Sequence, residues 1–362
     1  MTTPPASKAP PRLIDIGSNL SDPVFRGSYH GKQAHPSDFD DILSRARKAG
    51  VGIQLLTGDC LEGSKQVLDL AENRRGLYAT VGCHPCRASE IDAYPGGVEA
   101  YIEALDKLIE EHKVGKGGGK GKAVAVGECG LDYDRLSLCP KDVQLKNFPP
   151  QLALASKHDL PLFLHSRAAH SDLVSLLRAH PQPLRGVAHS HSGTLDEALE
   201  LIEMGFYLGI NGCSLKTPEN LDCVRHLPLR KLLLETDSPY CECRPSHASY
   251  AYLKALADDA EHAWLKALYL PAAVKKEKFV RGQAVRGRNE PSTTGQIAWI
   301  VAKLHGVSLE EIAEVTRRNT LELFGIAEED GVWGGGEGTD EEGDGLRTSL
   351  GDGTDAPESS GG

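Results

Sequence analysis

No run of about 18 apolar residues occurs in the 362-residue chain, so nothing in it reads as a membrane-spanning helix. The opening stretch MTTPPASKAPPR has proline but no apolar segment. That argues against a secretory signal, and residues 1–11 read as a flexible leader. No Gly-x-Gly-x-x-Gly or Walker-type loop follows the first apolar run, which disfavours the nucleotide-cofactor folds. No persuasive Gly-x-Ser-x-Gly elbow is present, so a serine hydrolase is not expected. The nine cysteines are odd in number and scattered, as for free thiols in a reducing compartment. Cys83-x-x-Cys86 and Cys241-x-Cys243 each lack a second pair at zinc-module spacing.

The net charge of −11 is concentrated at one end. Residues 328–362 hold eleven Asp/Glu and one Arg, a net of −10, leaving about −1 for the rest. This acidic, Gly-rich tail is expected to be disordered. The remaining chain, 12–327, is nearly neutral and does not repel a polyanion. Two basic segments interrupt it. Residues 113–122 form a Gly/Lys-rich insertion, expected on the rim far from any site. Residues 271–290 carry Lys275, Lys276, Lys278, Arg281, Arg286 and Arg288, a stretch that offers nucleic-acid contact.

Eight short apolar runs fall at 13–16, 53–57, 77–81, 123–126, 161–164, 186–188, 206–210 and 232–234. Between them lie segments with apolar residues at helical spacing, including 38–49, 98–112, 151–158 and 195–204. Alternating strand and helix implies a parallel sheet, and eight units over about 230 residues fit a (β/α)8 TIM-type barrel. The runs are followed by Asp59, His84, Glu128, His165, His189, Asn211 and Asp237. Barrel sites are built at the C-terminal ends of strands, whereas a doubly wound sheet gathers ligand groups at one switch point.

Glu128, His165, His189 and Asp237 form a hydrolytic-metal donor set, acceptable to Mg²⁺, Mn²⁺ or Zn²⁺. A charge at Glu128 would be costly to bury alone, and a metal removes that cost. Asp237, before Ser-Pro, also has the pattern of a helix cap. His189 and His191 alternate, so His189 is favoured for the site and His191 for its wall. Two ions bridged by Glu128 would clamp both oxygens of a phosphodiester, with Asp237 orienting or deprotonating water and His84 on the substrate phosphate. Arg26, Arg167 and Lys216 are candidate phosphate contacts.

The chain resembles the TatD family of metal-dependent deoxyribonucleases, most closely its eukaryotic branch. The resemblance is carried by Asp15-Ile-Gly-Ser-Asn-Leu-Ser-Asp-Pro-Val-Phe-Arg-Gly27, Gly82-Cys-His-Pro85, Gly127-Glu-Cys-Gly-Leu-Asp-Tyr133 and Leu164-His-Ser-Arg167. It continues through Val187-Ala-His-Ser190, Asn211-Gly-Cys-Ser-Leu-Lys-Thr217, Glu235-Thr-Asp-Ser-Pro239 and Arg288-Asn-Glu-Pro291. It implies an amidohydrolase-like barrel, 3′-to-5′ exonuclease or endonuclease action on DNA, Mg²⁺ or a similar cation, and metal ligands at Glu128, His165, His189 and Asp237. Many members of the wider superfamily open with Asp-x-His-x-His; this chain has Asp15-Ile-Gly17-Ser-Asn19. Asp15 and Asn19 are therefore weaker candidates, for metal or for a water held near it.

The expected partner is DNA, with single strands or 3′ ends favoured because a near-neutral core offers few phosphate contacts. The expected location is the nucleus or cytoplasm. A metal hydrolase of a small amide or ester, and a DNA-binding protein with a weak site, remain open alternatives at this point.

Overall fold

The computed structural model describes residues 9–115 and 121–333. Eight strands form the main sheet, in chain order: β1 Leu13–Ser18, β2 Val51–Leu56, β3 Leu77–Val81, β4 Ala123–Asp132, β5 Leu162–Arg167, β6 Gly186–Ala188, β7 Tyr207–Ile210 and β8 Leu232–Leu234. Each pairs in parallel with the next. The circle closes just beyond β8, where Ser18 bridges Ser238 and the Asp237 N–H donates to the Gly17 carbonyl at 2.8 Å. Helices pack outside the sheet. The result is the expected (β/α)8 barrel.

Local chemistry explains the helices. Helix Phe39–Lys48 buries Phe39, Ile42, Leu43 and Ala46, a single stripe at three and four spacing. Thr194 caps helix Leu195–Glu203 with a reciprocal Glu197 box, and Thr217 does the same with Asn220 for helix Pro218–His226. The barrel interior is a packed core of Ile14, Ile16, Ile53, Leu55, Val124, Phe163, Val187 and Leu233, floored by Leu323 and Phe324 at the end of helix Leu309–Phe324 and by Ile326 just after it. A second apolar layer fills the space between sheet and helices.

Two features were not expected, and the insertion falls on its expected rim. Strand β4 continues past Val126 to Asp132, because its distal half pairs with β5 through Gly130–His165 and Asp132–Arg167 after a register shift. Residues just past 327 contact the barrel: Glu328 pairs with Arg12, Asp330 accepts from the Tyr78 hydroxyl, and the Val332 N–H donates to the Gly52 carbonyl. The expected disordered tail otherwise falls at 334–362, outside the described residues, as does most of the expected leader. The flanks of the Gly/Lys insertion are described, and they lie at the starts of β3 and β4: Lys122 Nζ donates to the carbonyls of Arg74 and Leu77. The insertion thus springs from the N-terminal rim, opposite the strand ends. Among the described residues no helix is long and apolar enough to cross a membrane.

Candidate metal centre

The C-terminal rim gathers three imidazoles around one carboxylate oxygen. Glu128 Oε1 lies 2.7 Å from His165 Nδ1, 2.8 Å from His189 Nε2 and 3.3 Å from His84 Nε2. The strands dictate this. Glu128 is carried on β4 and His165 on the neighbouring β5, while His189 directly follows β6, with its N–H donating to the Leu164 carbonyl. His84 follows β3 and is fixed by the Cys86 N–H donating to its Nδ1 at 3.0 Å. Burial works against the Glu128 charge, but the three imidazoles overcome it and hold the carboxyl well below the usual range. Burial likewise opposes charge on His189, yet Glu128 and Glu235 raise it well above an ordinary histidine.

Several residues that sequence reasoning passed over complete the centre. Asp132 Oδ2 lies 3.1 Å from His165 Nε2, so the ring sits between two carboxylates. The signal was available: Glu128 and Asp132 are four apart on one strand and share a face. His84, Cys86 and Asp132 form an adjoining group whose donor atoms also converge. Beneath His189, Phe163 stacks on the ring at 4.9 Å, and Glu235 Oε1 lies 3.5 Å from Nδ1. Glu235 is wholly buried. The Ser190 N–H donates to it at 2.6 Å and Asn211 Nδ2 at 2.8 Å.

Gly17 makes room for this carboxylate. A Cβ at position 17 would lie 3.0 Å from Glu235 Oε2 and 3.2 Å from Phe163, and one at Gly209 would lie 2.9 Å from the same oxygen. A side chain on β1 at position 17 would therefore press on the group that supports His189, which would have to shift by a few tenths of an ångström.

Asp237 sits in the left-handed region at φ 51°, where no helix begins, so it is not a helix cap. Its presentation is fixed from several sides. Asn19 Nδ2 donates to Oδ1 at 3.0 Å and Cys241 Sγ to Oδ2 at 3.2 Å. Asn289 Nδ2 donates to the carbonyls of Thr236 and Tyr240, clamping the loop. Burial raises the Asp237 carboxyl to about 6, with the His189 charge opposing and Glu128 and Glu235 reinforcing the rise.

Other sequence-based candidates are placed differently. Asp15 has no accessible surface, and its oxygens accept from the Thr236 hydroxyl at 2.6 Å and the Thr236 N–H at 2.9 Å. It anchors the segment that follows β8. Asn19 turns its amide N–H toward Asp237, the role of an orienting donor. Arg26 donates to the Leu20 and Ser21 carbonyls and lies over Phe39, so its guanidinium is committed to the fold. Arg288, in the basic stretch, is buried between Asp38 and Glu290 and has no face for a phosphate. Lys275, Lys278, Arg281 and Arg286 remain exposed. Arg167 ends β5 with Nη1 donating to Ser192 Oγ at 2.6 Å, and Lys216 is exposed in the loop after β7. Both are on the rim of the cluster. His191 lies behind it among Ser166, Arg167 and His170, a wall position.

Two carboxylates and three imidazoles at the strand ends of a parallel barrel suit a divalent cation. Comparison with known proteins agrees with this geometry. Residues 14–325 match the family model described as TatD related DNase. The chain is 48% identical over 316 residues to a Schizosaccharomyces pombe protein named Deoxyribonuclease Tat-D, covering 86% of this chain and 96% of that one. It is 31% identical to a Klebsiella pneumoniae protein named 3′-5′ ssDNA/RNA exonuclease TatD, covering 87% and 98%. A crystal structure titled as an uncharacterized amidohydrolase from Saccharomyces cerevisiae superposes with a TM-score of 0.79 at 30% identity, covering 87% of this chain and all of that one. With its barrel, its rim of carboxylates and imidazoles, and a match along almost the whole described region, the chain belongs to the TatD-related DNase family.

Proposed function

We propose that this protein is a divalent-metal-dependent deoxyribonuclease that removes nucleotides from the 3′ ends of single-stranded DNA. The observation that carries the reading is the meeting of three imidazole nitrogens at Glu128 Oε1 beside Asp237. So many donor atoms facing one buried oxygen are a poor arrangement for a neutral core, and a cation satisfies them together. Glu128, His165, His189 and Asp237 would hold it, and the relatives' names supply the substrate class. Divalent ions held there, with Mg²⁺ favoured and two expected, would polarise the phosphodiester and neutralise charge that builds on its oxygens.

The protein's own groups have separate tasks in this reading. Asp237, pushed up to about 6 by burial, is suited to taking a proton from the attacking water near neutral pH. Asn19 holds its Oδ1 and thereby aims the other oxygen. Phe163 and Glu235 fix the His189 ring from below and behind. Arg167 and Lys216 on the rim provide the cationic contacts for the strand backbone, a short footprint that fits a strand end better than a long duplex.

Incubation of the purified chain with 5′-labelled single-stranded DNA and Mg²⁺, with and without EDTA, beside Asp237→Ala, tests the reading. A metal-dependent ladder that shortens from the 3′ end and vanishes in the variant is expected. Equal degradation of 3′-blocked and 3′-free strands would refute the exonuclease polarity, and EDTA-resistant cleavage would refute the metal.

A further inference from the structure

The loops that follow β7 and β8 each bring one half-buried thiol to the same point. Cys213 Sγ and Cys241 Sγ are 2.7 Å apart. The backbones that carry them are in direct contact: a Cβ at Gly212 would collide with the Cys241 carbonyl and lie 3.2 Å from the Cys243 nitrogen. Both loops are also anchored to the centre. The Cys213 N–H donates to Asn211 Oδ1 at 2.8 Å, while Asn211 Nδ2 donates to Glu235. Cys241 donates its S–H to Asp237 Oδ2. Of the other seven thiols, six are buried, and half-buried Cys86 has Asp132 as its neighbour instead of a second sulfur.

We propose that Cys213 and Cys241 are a reversible disulfide site, closed by a hydroperoxide, that turns the centre down when oxidised. The sulfurs are already paired across two loops, and a disulfide needs a separation of about 2.05 Å. One thiol attacks the O–O bond of hydrogen peroxide, giving a sulfenic acid and one water. The second thiol displaces the sulfenic oxygen, which leaves as the second water. Two S–H bonds and the O–O bond break, one S–S bond forms, and two electrons pass from the sulfurs to the peroxide, whose oxygens take up both thiol protons. The product has no S–H at Cys241, so Asp237 Oδ2 loses a donor, and the β7 and β8 loops become covalently tied beside it. The effect on cleavage rests on the nuclease reading above; the disulfide itself does not.

The test uses the full chain treated with hydrogen peroxide, quenched with an alkylating agent, and split between peptide mass mapping and the DNA cleavage assay. The expected result is a Cys213–Cys241 cross-linked peptide, two hydrogens lighter than the reduced pair, rising in step with a loss of cleavage of about tenfold or more. Dithiothreitol should reverse both. Cys213→Ser should keep its untreated rate under the same dose. Absence of the cross-linked peptide overturns the site even if the untreated protein cleaves nothing. If Cys213→Ser is inactivated as fast as the parent, the pair is not the switch and the proposal fails.

Discussion

Glu235→Gln separates support of the proposed metal centre from membership of it. The glutamate is fully buried and never reaches the cluster's open side, yet it touches His189 Nδ1 at 3.5 Å and holds Ser190 and Asn211 in place. Glutamine keeps the shape. With its oxygen at the Oε1 position it still accepts from both donors, and its amide nitrogen takes the place of Oε2, which has no partner now. The fold should therefore lose no more than about 1 kcal/mol, the scale of one poorly placed buried polar group. What is removed is the negative charge that makes His189 a stronger base and fixes its ring. Changes of this kind behind a ligating histidine typically cost ~10–100-fold in metal affinity or activity, equivalent to ~1.4–2.7 kcal/mol. The assay is cleavage of labelled single-stranded DNA against Mg²⁺ or Mn²⁺ concentration, paired with thermal melting of the metal-free protein. Half-saturation by metal should rise at least tenfold while the melting temperature stays nearly constant. A metal response within twofold of the parent would refute the argument that Glu235 acts through His189. A collapse in melting temperature would show that its main role is in the core.

Three further outcomes follow from the same geometry. Asp237→Asn should lower cleavage by ~10²–10⁴-fold, the usual contribution of a general base, in a folded protein that still binds metal; a loss under tenfold would assign the proton to another group. Asp15 is raised by burial to about 8, so the fold favours its protonated form, and this contribution to stability is full below about 4 and fades as pH rises toward 8. Asp15→Asn should remove a slope of up to about 1.4 kcal/mol per pH unit in that window, seen as a urea midpoint that gains on the parent between pH 5 and 7.5; parallel curves would show that Asp15 is charged throughout. Arg288→Ala should destabilise the fold by ~3–5 kcal/mol because Asp38 and Glu290 are left buried with Arg45 as their remaining cation, and it should leave the salt dependence of DNA binding unchanged; a reduced salt slope would return Arg288 to the phosphate contacts.

The barrel was legible because each strand is an apolar run stopped by a chemically distinctive residue. Apolar runs that must be buried on both faces look alike in any parallel sheet, but a polar side chain at the end of nearly every run points to one rim. Glu128, His84, His165 and His189 could be read in this way because strand ends converge by topology alone. Cations were harder to read. Arg26, Arg167 and Arg288 look equivalent as letters, yet one caps backbone carbonyls, one faces the rim and one closes a buried ion network. Their distinction depends on which loop carbonyls and carboxylates are nearby, and this is fixed by contacts as distant in sequence as Asp38 with Arg288.

The same difference explains why the fold gives Asp15 and Glu235 surroundings that their places in the sequence do not announce. Asp15 stands in the motif position that suggests a ligand, whereas Glu235 stands two residues before the evident one and drew no separate role. Strand alternation would place Glu235 and Asp237 on one side, but the chain turns at Asp237 with φ 51°, and that turn separates their tasks. Glu235 drops into the space left by Gly17 and Gly209, and Asp15 is drawn toward Thr236. A Cβ at position 17 would already lie 3.0 Å from Glu235 Oε2. The two positions therefore have to be considered together: Gly17→His should displace Glu235 from its place behind His189 and raise the half-saturation by metal, and an unchanged metal response would refute the coupling.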